Sequence, residues 1–238
     1  MSRALIDRTL PDPAPIAVAL DDMGEADALA LARELAGVVW GFKINDLLLQ
    51  CGVDVVGRIK KYGKVFCDPK LYDIPNTVAN QVHLLTGAGA DLVTLHCSGG
   101  GEMLRAAVAA RQGSSRLIGV TILTAMDSET CKSVYLGEVP ERIGHFARLA
   151  REAGIDGIVC APGDLSLIDE ADPDHRLMRV TPGVRPEWHT RADDQKRPTT
   201  PEAAWQNGSD LLVIGRPITG ADDPVQACAS IVEELRVS

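Results

Sequence analysis

Lys70 stands between two carboxylates, Asp68 and Asp73, in the stretch Phe66-Cys67-Asp68-Pro69-Lys70-Leu71-Tyr72-Asp73-Ile74-Pro75-Asn76-Thr77. Two carboxylates and an ammonium within six residues form a charge cluster of the kind that marks functional sites. The apolar run Val65-Phe66-Cys67 leads into Asp68, and side chains alternate along an extended segment. Asp68 and Lys70 are therefore expected to project the same way from a strand end. Asp73 follows where the chain turns, and Pro75 suits the opening of a helix. Desolvating such a cluster is costly, so stability alone does not account for it. The competing reading is a solvated turn, with Asp73 capping the next helix and Lys70 screening Asp68.

Four other stretches carry comparable chemistry. Lys43 sits inside the apolar run Gly41-Phe42-Lys43-Ile44 and needs a partner there, for which Asp21 and Asp68 are the candidates. Asp22, next to Asp21, is expected to face the surface. Thr181-Pro182-Gly183-Val184-Arg185 and Ile214-Gly215-Arg216-Pro217-Ile218 each pair a glycine with an arginine. Glycine lets backbone N–H groups approach an anion, and arginine gives bidentate contacts. The plainer reading is two turns with solvated arginines. His96, in His96-Cys97-Ser98-Gly99-Gly100, reads as an acid/base group, a metal ligand or a hydrogen-bonded rim histidine, and with no second histidine at ligand spacing the last is favoured.

These residues need a frame that brings them together. Apolar runs at 16–20, 38–44, 64–68, 91–96, 116–123, 157–160, 177–180 and 211–214 read as strands. Helical spacing fills 26–35, 47–60, 78–86, 102–111, 140–153, 165–170, 201–207 and 224–235. Strands apolar on both faces and alternating with helices imply a parallel sheet covered on both sides. Gly89-Ala90-Asp91, Gly154-Ile155-Asp156 and Gly208-Ser209-Asp210 each introduce a strand after a helix, with glycine as the helix stop. Gly52-Val53-Asp54 looks similar but lies inside a helical pattern. Eight such units favour an α/β fold of the (β/α)8 TIM-barrel type over a doubly wound sheet. The expectation is one barrel domain over residues 1–238, with 1–14 a loose lead-in. In such a barrel the strand ends carry the site. Asp21, Lys43, Asp68 with Lys70, His96, Thr124, Pro182 to Arg185 and Gly215 with Arg216 then share one rim.

The totals narrow the function. Apolar residues make up 45 % of 238, enough for a sizeable core, and aromatics at 4 % make that core aliphatic. A net charge of −9 argues against a general nucleic-acid binder. The six cysteines are widely spaced without a C-x-x-C pair, so they read as reduced buried thiols. No metal site is expected. The first residues lack a signal-peptide pattern and no stretch has the length of a membrane span, which makes the cytoplasm the expected location.

Asp68-x-Lys70-x-x-Asp73-Ile74-Pro75-Asn76-Thr77 closely resembles the signature of the orotidine 5′-phosphate decarboxylase family. Ala19-Leu20-Asp21, Phe42-Lys43, His96-x-Ser98-Gly99-Gly100, Val120-Thr121-Ile122-Leu123-Thr124, Val180-Thr181-Pro182-Gly183-Val184-Arg185-Pro186, Asp194-Gln195 and Val213-Ile214-Gly215-Arg216-Pro217-Ile218 also look like that family, in order and spacing. Pro69 departs from it, since the family usually has a non-proline residue there, and the segment 186–194 has its own composition. The resemblance implies decarboxylation of orotidine 5′-monophosphate to UMP, the last step of UMP synthesis, without metal or organic cofactor. It implies that Lys70 protonates a C6 carbanion, that Asp68 lies beside the departing carboxylate, and that Lys43 completes an alternating charge array. Asp21 and Lys43 would contact the ribose, and Thr124 the pyrimidine. Arg185, Gln195 and Arg216, with Pro182 and the Gly215 backbone, would line the phosphate site. Asp73 and Thr77 would come from the partner of a homodimer with shared active sites. Two alternatives stand beside it: a Mg²⁺-dependent phosphosugar decarboxylase or synthase on the same barrel, and a non-catalytic phosphate-binding barrel.

Overall fold

A computed structural model describes residues 9–189 and 199–236. Its strands are β1 (Ala14–Ala19), β2 (Val39–Ile44), β3 (Lys64–Leu71), β4 (Leu92–His96), β5 (Arg116–Val120), β6 (Gly157–Val159), β7 (Met178–Thr181) and β8 (Leu211–Ile214). Each pairs in parallel with the next, and β8 closes on β1, so the fold is a (β/α)8 barrel. The helices are α1 (Glu25–Glu34), α2 (Asp46–Cys51), α3 (Asp54–Ile59), α4 (Pro75–Gly87), α5 (Gly100–Ala110), α6 (Ser128–Tyr135), α7 (Val139–Ala153), α8 (Ser166–Asp169), α9 (Pro201–Gln206), α10 (Arg216–Thr219) and α11 (Pro224–Arg236). No helix among the described residues is long and apolar enough to cross a membrane.

The elements differ from the sequence expectation at four places. The single helix read over 47–60 is two, because Gly52 takes φ 69° and ends α2 before α3 begins. Its glycine signal was therefore a true stop, followed by a helix instead of a strand. The fifth strand ends at Val120, and the polar segment after it forms α6, whose N-terminus is capped by Asp127 accepting the Thr130 N–H at 2.9 Å. The four-residue α10 directly follows β8 and begins with Arg216. The third strand runs on to Leu71 and so includes Asp68 and Lys70.

Two apolar compartments result from the two-residue alternation of each strand. One set of side chains faces the helices, with Ile16, Val18, Phe42, Ile44, Val65, Leu95, Leu104 and Ile143 among its members. The other faces the lumen, where Ala17, Ala19, Phe66, Leu92, Ile118, Val180, Leu211 and Val213 pack together. Small residues on β1 and β2 leave space at the upper lumen. A Cβ at Gly41 would lie 2.1 Å from the Lys64 carbonyl oxygen, so only glycine lets β3 begin this close to β2.

At the opposite end of the barrel, the three Gly-x-Asp sequences do the same thing three times. Gly89, Gly154 and Gly208 have φ of 101°, 83° and 97°, which turns the chain from helix to strand. The aspartate two residues on then grips one residue of the preceding strand by both polar groups. Asp91 donates its N–H to the Val65 carbonyl at 2.8 Å and accepts the Val65 N–H on its carboxylate at 2.7 Å. Asp156 does so to Leu117 at 3.0 and 2.8 Å, and Asp210 to Arg179 at 2.8 and 2.9 Å. Each gripped residue is the second of its strand, in β3, β5 and β7.

Candidate active site

The carboxyl ends of the strands surround a cavity of about 350 Å³, a size suited to a small organic ligand. Its floor is the top of the luminal cluster, with Phe66, Val180 and Val213. The ends of β1 to β3 contribute Asp21, Lys43, Asp68 and Lys70; the loops after β7 and β8 contribute Pro182, Gly183, Arg185, Gly215 and Arg216; Thr124, after β5, completes the lining.

The charged wall is built from three neighbouring strands. Asp21 follows β1 and continues the inward series Ala17, Ala19. Lys43 is the inward residue near the end of β2, only 6 % exposed. Its ammonium reaches both Asp21 oxygens, at 2.9 and 2.8 Å, and lies 3.5 Å from Asp68 Oδ2. Asp68, on β3, is 7 % exposed, and its Oδ2 also accepts a 2.7 Å hydrogen bond from Lys70 Nζ. The order Asp21–Lys43–Asp68–Lys70 thus alternates in sign across the wall. A buried lysine without partners would be expelled or neutralised. Here each buried charge has an opposite neighbour on both sides, and the Lys70 head, with its side chain 34 % exposed, faces the cavity.

Asp68 and Lys70 do meet, but not through simple alternation. Between β3 and β4, Cys67 pairs with Val93 and Leu71 with Leu95, so Asp68, Pro69 and Lys70 together oppose the single residue Thr94. This is a bulge with two extra residues, and Lys70 within it has φ 51°. Left-handed backbone at a non-glycine residue costs about 1–3 kcal/mol and persists only where the surroundings enforce it. The bulge also explains Pro69. Proline has no N–H, and a bulge residue has no ladder bond to lose.

Both Asp68 oxygens are engaged, Oδ2 by the two ammoniums and Oδ1 by the Thr94 hydroxyl at 2.8 Å. That carboxylate therefore presents lone pairs to cations the chain itself provides. His96 lies at the end of β4, its ring edge-on to Tyr72 at 5.8 Å. Burial holds its pKa below the ordinary 6.5, the Lys70 ammonium lowers it further, and Asp68 opposes both.

In the arginine-bearing loops, Gly183 has φ 77°, and the loop after β7 is drawn together where Arg185 N–H donates to the Thr199 carbonyl at 2.8 Å. Arg185 Nη1 donates to the Val184 carbonyl at 2.9 Å, and Arg216 lines the same cavity after the neighbouring strand β8. Gln195, expected beside them, lies outside the described residues.

Asp73 and Thr77 do not line this cavity. Asp73 is exposed and accepts the N–H of Ile74 at 2.6 Å, while Thr77 lies in the first turn of α4. Asp22, expected to turn away, is exposed but at the cavity mouth, with φ 59° and its N–H on Asp46 Oδ2 at 3.2 Å. Thr94 was missed altogether in the sequence, although one polar residue within Leu92-Val93-Thr94-Leu95 was the signal available.

Residues 14–231 match the family described as orotidine 5′-phosphate decarboxylase / HUMPS. A Pelobacter propionicus protein named orotidine 5′-phosphate decarboxylase is 43 % identical over 229 residues, spanning 92 % of this chain and 94 % of its own. A Pseudomonas fluorescens protein of the same name is 42 % identical, over 93 % of this chain and 97 % of its own. The crystal structure of orotidine 5′-phosphate decarboxylase from Lactobacillus acidophilus superposes with a TM-score of 0.75 at 30 % identity, covering 93 % of this chain and 98 % of that one.

Proposed function

This chain belongs to the orotidine 5′-phosphate decarboxylase / HUMPS family and converts orotidine 5′-monophosphate to UMP, and we propose that it does so in the cavity bounded by Lys70 and Arg216. The observation that carries this assignment is the alternating Asp21–Lys43–Asp68–Lys70 wall, which lines one cavity of about 350 Å³ together with two Gly-Arg loops. Arg185 and Arg216, with the Pro182–Gly183 and Gly215 backbone, hold the phosphate, and Gln195 joins them. Asp21 and Lys43 bind the ribose hydroxyls, and Thr124 borders the pyrimidine.

The reaction then needs no added cofactor. The bond from C6 to the carboxylate carbon breaks, CO₂ leaves, and the electron pair stays on C6. Lys70 protonates that carbon, and the resulting amine regains its proton from solvent. Its ammonium is fixed before the reaction by Asp68, so the growing negative charge meets a positive charge without solvent having to reorganise. Phosphate contacts far from C6 hold the ring in place and are expressed partly as rate.

Asp73 and Thr77 act in the neighbouring site of a twofold homodimer. Their position outside their own cavity supports this, as do Tyr72 and Ile74, apolar side chains 63 % and 67 % exposed on either side of Asp73. The same reading assigns the chain to the cytoplasm, with no nucleic-acid or membrane partner.

The direct test is loss of orotidine 5′-monophosphate absorbance with purified chain, with and without EDTA. Turnover unaffected by EDTA is expected. Lys70→Ala should lose at least ~10³-fold in kcat/KM while still binding UMP, the scale of a lost proton donor and its charge. EDTA-sensitive turnover of a phosphosugar, with the nucleotide untouched, would replace this reading by the Mg²⁺-dependent one.

A further inference from the structure

We infer that Thr94 is a positioning residue for the reaction, one hydroxyl that sets both the Asp68 carboxylate and the backbone of Lys70. The inference rests on the roles proposed above for those two residues. Thr94 is on β4, fully buried, and opposes the three-residue bulge alone. Its Oγ1 accepts the Lys70 N–H at 3.0 Å and donates to Asp68 Oδ1 at 2.8 Å.

A hydroxyl has one proton to give and lone pairs to receive with. An ionised carboxylate only accepts and an amide N–H only donates, so both directions are fixed. The bulge removes the Lys70 N–H from the regular ladder, and at φ 51° that group would otherwise be a donor without an acceptor. Thr94 supplies the acceptor and thereby holds the left-handed turn that sends the Lys70 side chain into the cavity. On its other side it occupies Oδ1, which leaves Oδ2 as the oxygen facing Lys43 and Lys70. Neither contact is to the phosphate loops, which follow β7 and β8.

The separating feature is that chemistry and nucleotide binding should part company. Thr94→Val keeps the branched shape and loses the hydroxyl; Thr94→Ser keeps the hydroxyl. For Thr94→Val, kcat should fall ~10²-fold, the cost of misplacing a reacting group by a fraction of its working distance. Its dissociation constant for UMP should stay within roughly threefold of the parent, and Thr94→Ser should keep kcat within about fivefold, since it can make both hydrogen bonds. Circular dichroism and thermal melts establish that each variant is folded. If the valine variant does not fold, the ratio of Thr94→Ser to Thr94→Ala turnover gives the same reading and should exceed about tenfold. Lys70→Ala is assayed alongside. An inactive Lys70→Ala with a near-normal Thr94→Val overturns the role of Thr94 alone, as does a serine variant as slow as the valine one. UMP affinity falling in step with kcat also overturns it, while an active Lys70→Ala removes the site and this inference with it.

Discussion

At the scale of single residues, the charged wall was mostly written in the sequence. Lysine in an apolar run had to find carboxylates, and Lys43 has Asp21 and Asp68. The conformation that brings Lys70 to Asp68 was not legible, because φ 51° depends on a bulge defined only once β4 is alongside. His96 was legible as a rim residue, but its titration was not. Burial and the Lys70 ammonium lower its pKa from 6.5, so the folded chain binds this proton less readily than the unfolded one. Stability from this group is therefore present above pH 6.5 and is lost as pH falls from there through the folded value. Urea midpoints measured between pH 7.5 and 5 should drop more steeply in the parent than in His96→Gln. Parallel curves would mean that His96 does not contribute to the acid sensitivity.

At the scale of elements, apolar runs and glycines located the strands, and errors fell where a local signal had two meanings. Gly52 inside a helical pattern was a stop, and the α6 segment, polar but for a few positions, did not announce a helix. The Gly-x-Asp signal gave the strand starts but not the use of the aspartate, since its partner lies on a strand more than twenty residues earlier. Asp91 shows what that use amounts to. Asp91→Ala leaves the Val65 N–H without its carboxylate acceptor and removes the ion pair to Lys60. Leaving the buried Val65 N–H unpaired should cost about 1–3 kcal/mol, read as a lower denaturation midpoint. Asp91→Asn keeps a carbonyl oxygen for Val65 and should retain most of the stability. Equal losses in both variants would assign the effect to the exposed ion pair.

At the scale of the whole molecule, the barrel was readable from eight alternating units, whereas an assembly was not, since one chain carries no partner surface in its periodicity. The shared-site proposal is tested by mixing Lys70→Ala chains with Asp73→Asn chains, each nearly inactive alone. A mixed dimer then has one doubly damaged site and one intact site. Random reassortment makes half the dimers mixed, so activity should recover to about 25 % of the parent. Tagged chains must first show that subunits exchange; exchange without recovery refutes sharing. The aspartate grips at the far end also bear on this chemistry. Side chains alternate in and out along a strand, so a slip of one residue would turn Asp68 away from the lumen and bring its neighbours in. Asp91 fixes Val65, and Asp68 comes three residues later, about 10 Å up the strand. What reads in the sequence as punctuation between helix and strand is a ruler's zero mark, and the active end of β3 is measured from it.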